Sequence, residues 1–387
     1  MRTIIVGAGI AGLWLADQLQ KRGDDIIVLE KNNYIGGRIL TSSHGYEIGA
    51  GRISTDHKRV LDLLKRFGLQ TYPIGHNIEW KAVGDAISSP NDFNEAWAPI
   101  IALLAKTPHP GRHTLRTLAT TTIGPQLTNN ILARFGYRAE VDTLRADLAI
   151  HSFQREMSDD ASFVVVKGGF SQLTTALAIN KDIHLNTAVH DVTVSNGVYH
   201  VKTAKKTFDC DRVILALPVN ALRQLPCMSG LKTLEYLKME PLTRIYAQTR
   251  GPLPTYLATR MVTDSPLRYI IPINGDKGII MISYIESQDT KRWKGLKGPV
   301  LIAALKKEIR QLFNKTPEFN WARAYEWDAG CTYWTPGDYD PHTESQKALR
   351  PFPTKMPNLH LCNESFSLRQ AWVEGALEHA SALLSSL

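Results

Sequence analysis

The sequence predicts an α/β fold: a Rossmann-like dinucleotide-binding sheet into which an α+β region is inserted. Three observations carry this prediction. A short β-branched run, Thr3–Val6, meets glycines at Gly7, Gly9 and Gly12. A helical pattern and a second apolar run, Ile26–Leu29, complete a βαβ opening within about 30 residues. Strand texture then returns at Phe163–Val166 and again at His360-Leu361, far along the chain from the opening unit.

In order, Thr3–Val6 reads as a buried strand, and Leu13, Leu15, Ala16 and Leu19 give Leu13–Lys21 helical spacing, closed by Gly23. Of the three glycines, the first allows a sharp turn out of the strand. The second lets backbone approach a pyrophosphate, and the third lets helix and sheet pack closely. The anion sits at the helix N-terminus against unpaired N–H groups and the positive end of the dipole. Glu30 ends the second strand, 18 residues beyond Gly12, where a carboxylate accepts bonds from ribose hydroxyls. Two more glycine-rich elements follow. Tyr34–Ile39 contains Gly36, Gly37 and Arg38, whose guanidinium suits a phosphate. Gly45–Arg52 contains Gly49 and Gly51. A nicotinamide site needs neither, so they point to a larger dinucleotide extended across the sheet.

From residue 76 to 160 the texture changes, with helices expected over Asp92–Ala105 and Gln126–Phe135. A helix is expected at Ser171–Ile179, then short strands at His184–Asn186, Val189–Val194, Val198–Thr203 and Val213–Ala216. The basic run Lys202–Lys206 fits a hairpin edge. An alternating block covers Thr243–Tyr284 with a turn at Asn274-Gly275, and amphipathic helices follow at Val300–Phe313 and Val373–Leu384. Residues 1–75, 163–225 and 340–387 are assigned to the dinucleotide domain, and 76–162 with 226–339 to a substrate domain.

Composition narrows the function. A length of 387 residues suits two or three domains, and 43% hydrophobic with 21% charged residues excludes wholesale disorder. Four cysteines are too few for a disulfide framework, which favours a reducing compartment. No apolar stretch reaches the roughly 18 residues of a membrane span. With no targeting segment read at the amino end, a cytoplasmic location is expected. The net charge of +8 is dispersed, so no nucleic-acid partner is expected, and no His-x-x-x-His or Cys-x-x-Cys pattern suggests a metal.

Together these elements resemble the flavin-containing amine oxidase superfamily, which includes monoamine, polyamine and L-amino-acid oxidases. Cys362–Ser365 through Ala371–Ala376 is similar to its closing motif, Gly168-Gly169-Phe170 with Leu173 to its glycine pair before a helix, and Asp211–Pro218 to its central strand. The resemblance implies FAD held by Gly7, Gly9, Gly12, Glu30, Arg38 and Glu364. Further contacts fall at Ile10, Ala11, Lys31, Gly37, Gly51, Arg52, Val189, Trp372 and Val373. It implies hydride transfer from the carbon of an unprotonated amine to flavin N5, imine hydrolysis, and reoxidation by molecular oxygen or another acceptor. A flavin desaturase or mutase on a non-amine, or a flavin-binding protein without turnover, are the alternatives.

Departures from the family pattern mark the site. Arg244 stands where the amine oxidases commonly carry a lysine that holds a water at the flavin; a permanently protonated arginine cannot mimic a neutral amine. Trp372 matches one aromatic wall, and Tyr333 or Trp334 supplies the other. These make Arg244, Trp372 and Tyr333 the candidate catalytic residues. Cys331 lies in a segment resembling the one that tethers flavin covalently in monoamine oxidases. Thr332 and the shorter spacing to Pro336-Gly337 favour a non-covalent flavin.

Overall fold

The opening strand, Arg2–Val6, lies at the centre of a five-stranded parallel sheet. In this computed structural model, which describes residues 1–75, 77–85, 89–157, 162–352 and 355–387, the strand order is Leu359–Leu361, Arg212–Leu215, Arg2–Val6, Asp25–Leu29, Asp182–His184. Ile5 is in register with both Val28 and Ile214. Alternation then divides the apolar residues between two cores. Ile5, Val28 and Ile214 pack with Leu13 and Leu19 of helix Ile10–Lys21 and with Leu377 and Leu383 of helix Val373–Ser386. Ile4, Val6, Leu29, Val213 and Leu215 join Val192, Val201 and Phe366 in the other core. Burial on both faces is why these strands read as continuous apolar runs. Each fully buried leucine or isoleucine contributes roughly 1.5–3 kcal/mol.

Beside this sheet lies an antiparallel meander of Val189–Ser195, Val198–Thr203 and Thr207–Cys210. Its first turn, Asn196-Gly197, has φ of 50° and 79°, the left-handed pair that a tight hairpin needs. Its second turn carries the expected lysine run. A smaller sheet pairs Phe163–Val166 with Ile53–Ser54 and Thr71–Pro73.

The remaining sheet has seven strands, ordered Phe319–Trp334, Leu237–Thr249, Ile279–Glu286, Tyr269–Asn274, Met261–Thr263, Glu79–Lys81 and Ser89–Pro90. One face carries Ile245, Ala247, Ile280 and Ile282 against Leu301, Leu305 and Ile309 of helix Gly298–Phe313. The other carries Leu242, Tyr246, Tyr269, Met281 and Tyr284, with Tyr46. Helices Phe93–Leu104, Leu115–Ile123, Pro125–Ala133 and Ala146–Glu156 form a bundle centred on Trp97 and Phe153.

The expected helices match within a few residues at each end. The 16-residue strand Phe319–Trp334 is not anticipated by the sequence reading, although Trp321, Tyr325 and Trp327 share the odd-numbered face that a strand produces. The boundaries placed at residues 76 and 160 lie outside the described residues.

Candidate functional site

The carboxyl end of the parallel sheet gathers the glycine-rich elements. Gly7 has φ of 109°, and a Cβ there would lie 2.5 Å from the Ala216 carbonyl oxygen. On Gly12 a Cβ would lie 2.1 Å from the Gly7 carbonyl oxygen, so helix and strand meet backbone to backbone. Gly9 differs: a Cβ added there meets no atom within 4 Å. It caps helix Ile10–Lys21 without a side-chain hydrogen bond, and no acidic residue occupies the first turn. The N–H groups of Ile10 and Ala11 thus open the helix at an uncapped, electropositive end. Glu30 is buried; its carboxylate accepts from the Ala8 N–H at 2.9 Å and the Asn32 N–H at 2.8 Å, tying the strand end to the loop. Lys31 is exposed. The second glycine element closes on the first, with the Gly36 N–H donating to the Ala8 carbonyl at 2.8 Å and a Cβ on Gly37 falling 3.3 Å from Gly9 Cα. Open space before Gly9, an uncapped helix and an acid at the strand end fit the diphosphate and ribose of FAD.

Arg38 forms an ion pair with the buried carboxylate of Glu364 and donates to the Gly330 carbonyl at 3.0 Å. It therefore joins the second glycine element, the closing motif and the strand that carries Cys331. Glu364 also accepts from the Ala371 N–H at 3.3 Å. Burial pushes the Cys331 thiol well above its ordinary value, keeping it neutral. Cys362 is buried among the apolar residues of the sheet–helix core and fills space there. Val189 begins the first meander strand and is half-buried, and Val373 begins the closing helix.

Gly51 leads into Arg52, whose guanidinium sits 4.5 Å from the Phe163 ring centre, 4.9 Å from Tyr137 and 5.2 Å from Trp372. Phe163 stacks on Trp372 at 9° between planes, and His57 meets Trp372 edge-on at 4.9 Å. Among the described residues no carboxylate forms a salt bridge with Arg52. The half-buried Glu156 acts on Arg52 from beyond ion-pair distance, and burial together with Glu156 pushes the neighbouring Glu140 up to about 8. Ala371, immediately before Trp372, holds φ of 64°, a strained value for a residue with a side chain.

Arg244 is on strand Leu237–Thr249 and turns inward. It donates to the Glu47 carbonyl at 2.9 Å, which Tyr246 Oη also reaches at 2.5 Å, and it lies 5.2 Å from the Tyr284 ring centre. Among the described residues its buried Nε has no hydrogen-bond partner. Glu47 is anchored by the Phe170 N–H at 2.7 Å and by Thr41 Oγ1 at 2.8 Å, fixing the loop that presents Gly49, Gly51 and Arg52. Tyr333 is buried, and burial raises its phenol well above the usual range. Trp334 is fully buried; its Nε1 donates to the Ser367 carbonyl and its N–H to Gln370, marking it as a core anchor.

Trp372, Arg52 and the Gly45–Arg52 loop are thus brought together, as are Arg38, Glu364 and Cys331. Tyr137, Phe163 and His57 are missed by the sequence reading. Tyr137 lies in the stretch that carries no motif, and Phe163 is legible only as a strand residue. The inward aim of Arg52 depends on tertiary packing.

Residues 10–382 match the family model described as flavin containing amine oxidoreductase. An L-amino-acid oxidase of Mus musculus is 23% identical over 97% of this chain and 69% of that protein. Amine oxidase [flavin-containing] B of Cavia porcellus is 30% identical over 25% of this chain and 20% of its own. A structure of putrescine oxidase bound to putrescine superposes with a TM-score of 0.79 at 17% identity, covering 100% of this chain and 99% of the other, which shows a shared fold. With the glycine corner, its acid and the closing motif in place, the match across nearly the whole length shows that the chain belongs to the flavin-containing amine oxidoreductases, FAD-dependent enzymes that oxidise amines.

Proposed function

We propose that the amine oxidised here is an α-amino acid, or a similar amine with an adjacent carboxylate, and that Arg52 receives the carboxylate. The observation that carries this reading is the Arg52 guanidinium enclosed by Tyr137, Phe163 and Trp372 with no salt-bridging acid among the described residues. Glu156 attracts the guanidinium from beyond ion-pair distance, so among the described residues the hydrogen-bonding fork of Arg52 stays available to an anionic ligand. Similarity along the chain to a mouse L-amino-acid oxidase supports the same class.

Bound FAD supplies a two-electron acceptor for the hydride on the amine-bearing carbon. The chain's own residues bind and orient. Gly7, Gly9, Ile10, Ala11 and Gly12 receive the diphosphate, Glu30 the ribose, and Arg38 with Glu364 braces the loop behind them. Lys31, Gly37, Gly51, Val189 and Val373 complete the cofactor contacts. Trp372 and Tyr333 exclude water from the amine. Arg244 fixes the Glu47 carbonyl and directs an unpaired Nε into the site, where it can orient a water. The neutral Cys331 thiol favours a non-covalent flavin. In this proposal residues 1–75, 163–225 and 340–387 form the FAD domain, and 76–162 with 226–339 the substrate domain. Support comes from the parallel sheet, which draws its strands from the first group, and the seven-stranded sheet, which draws them from the second. Four free cysteines favour a reducing compartment such as the cytoplasm. Molecular oxygen is the proposed acceptor, with peroxide as its product. No helix among the described residues is long and apolar enough to cross a membrane.

Anaerobic mixing of the yellow protein with L-amino acids, and separately with the amines lacking their carboxylates, tests the reading. Bleaching of the flavin band by the amino acids at far lower concentration supports it. Preferential bleaching by the simple amines removes Arg52 from substrate binding, and bleaching by carboxylates without an amine favours a desaturase.

A further inference from the structure

The meander beside the FAD-side sheet carries a second set of reactive groups. Alternation turns Val192, Tyr199, Val201, Phe208 and Cys210 into the core and leaves Ser195, His200 and Asp209 on the outward face. Register brings these three together. His200 is directly opposite Asp209 on one side, and Ser195 opposite Val198 on the other, so His200 lies between the two.

Ser195 Oγ is 2.7 Å from His200 Nε2, and His200 Nδ1 is 2.7 Å from an Asp209 carboxylate oxygen. A carboxylate can only accept, so it holds the neutral imidazole's proton on Nδ1 and leaves Nε2 to accept from the serine hydroxyl. This is the chain of roles in a nucleophile–base–orienter triad, which is recognised by geometry and not by chain order. The turn after Ser195 adds a further element. The N–H groups of Asn196 and Gly197 are not taken up by hydrogen bonds among the described residues. The N–H immediately after a nucleophile is a recurrent donor to an acyl oxyanion.

We infer that Ser195, His200 and Asp209 form a second, hydrolytic centre that cleaves short acyl esters. Ser195 and Asp209 are exposed on an open sheet face, so the site suits a small acyl group and not a long chain. Ser195 Oγ bonds to the ester carbonyl carbon while its proton passes to His200 Nε2. The ester C–O bond breaks and the departing alcohol takes that proton. Water then attacks the acyl-serine, again through His200, and releases the carboxylic acid with Ser195 restored.

The test is p-nitrophenyl acetate hydrolysis by the flavin-loaded protein, with mass mapping after diisopropyl fluorophosphate treatment. Saturable nitrophenol release and an adduct on Ser195 are expected. Ser195→Ala and His200→Ala each lower the protein-dependent rate about a hundredfold, and Asp209→Asn lowers it less. Retained flavin colour and amine-driven bleaching in each variant show that the fold is intact. An unchanged rate in Ser195→Ala, or labelling confined to other residues, overturns the inference.

Discussion

Replacing Arg52 with methionine removes the charge while keeping most of the side-chain volume between Tyr137, Phe163 and Trp372. In wild type, a substrate carboxylate would meet a guanidinium whose central carbon lies 4.5–5.2 Å from three ring centres, a setting with little water to compensate for its loss. Truncating one partner of such a desolvated charge pair costs about 2–5 kcal/mol. A mid-range loss of about 3 kcal/mol lowers kcat/KM for an amino acid roughly 150-fold. The same substitution should leave kcat/KM for the corresponding decarboxylated amine within about threefold, because that molecule never uses the charge. The assay is stopped-flow flavin reduction with both substrates, and the quantity read is the ratio of the two constants. Arg52→Lys should fall between, since a lysine keeps the charge but loses the planar fork. Equal losses for the two substrates, or loss of bound FAD in place of discrimination, would refute the assignment.

Three further outcomes follow from the geometry. Gly9→Ala should leave apo-protein stability within about 1 kcal/mol, as its Cβ meets nothing, yet weaken FAD binding more than about tenfold; unchanged FAD titration would remove the glycine corner from the cofactor site. Arg244→Met should slow flavin reduction about tenfold or more with FAD content unchanged, checked by rapid mixing and by the absorbance ratio of flavin to protein. Burial alone would raise the Asp17 carboxyl, but hydrogen bonds from Arg66 and Lys21 outweigh it and bring it down to about 2. A lowered carboxyl stabilises the fold above the unfolded value and loses that contribution as pH falls from about 4 through 2. Urea titration of Asp17→Asn should therefore show a loss of about 1–2 kcal/mol at pH 7 that closes near pH 2.

What the sequence makes legible here is local. The βαβ corner, the hairpins and most helices announce themselves through periodicity and turn residues within windows of a dozen residues. Glu30 is found because its role depends on the end of a strand already identified. The Arg52 enclosure is different: Tyr137 and Phe163 come from separate parts of the chain, and nothing in their neighbours marks them. Arg244 is recognisable as a departure from a motif, but its bond to the Glu47 carbonyl depends on the Gly45–Arg52 loop meeting the seven-stranded sheet. Strand Phe319–Trp334 escapes because charged and small residues interrupt its aromatic alternation and because its pairing with Leu237–Thr249 shifts register twice, at Glu240/Leu242 and at Gln248/Thr249.

The parallel sheet draws its five strands from positions scattered between residues 2 and 361, and its outermost strand and covering helix lie within residues 359–386. Such distant pairings carry a large loop-closure cost and form slowly. During synthesis the glycine corner emerges long before Glu364 and Trp372, which complete the site. Capture of the cofactor in its finished pocket therefore waits on the outermost strand and covering helix, and a ribosome-bound nascent chain should remain uncoloured while residues 359–386 are still inside the exit tunnel.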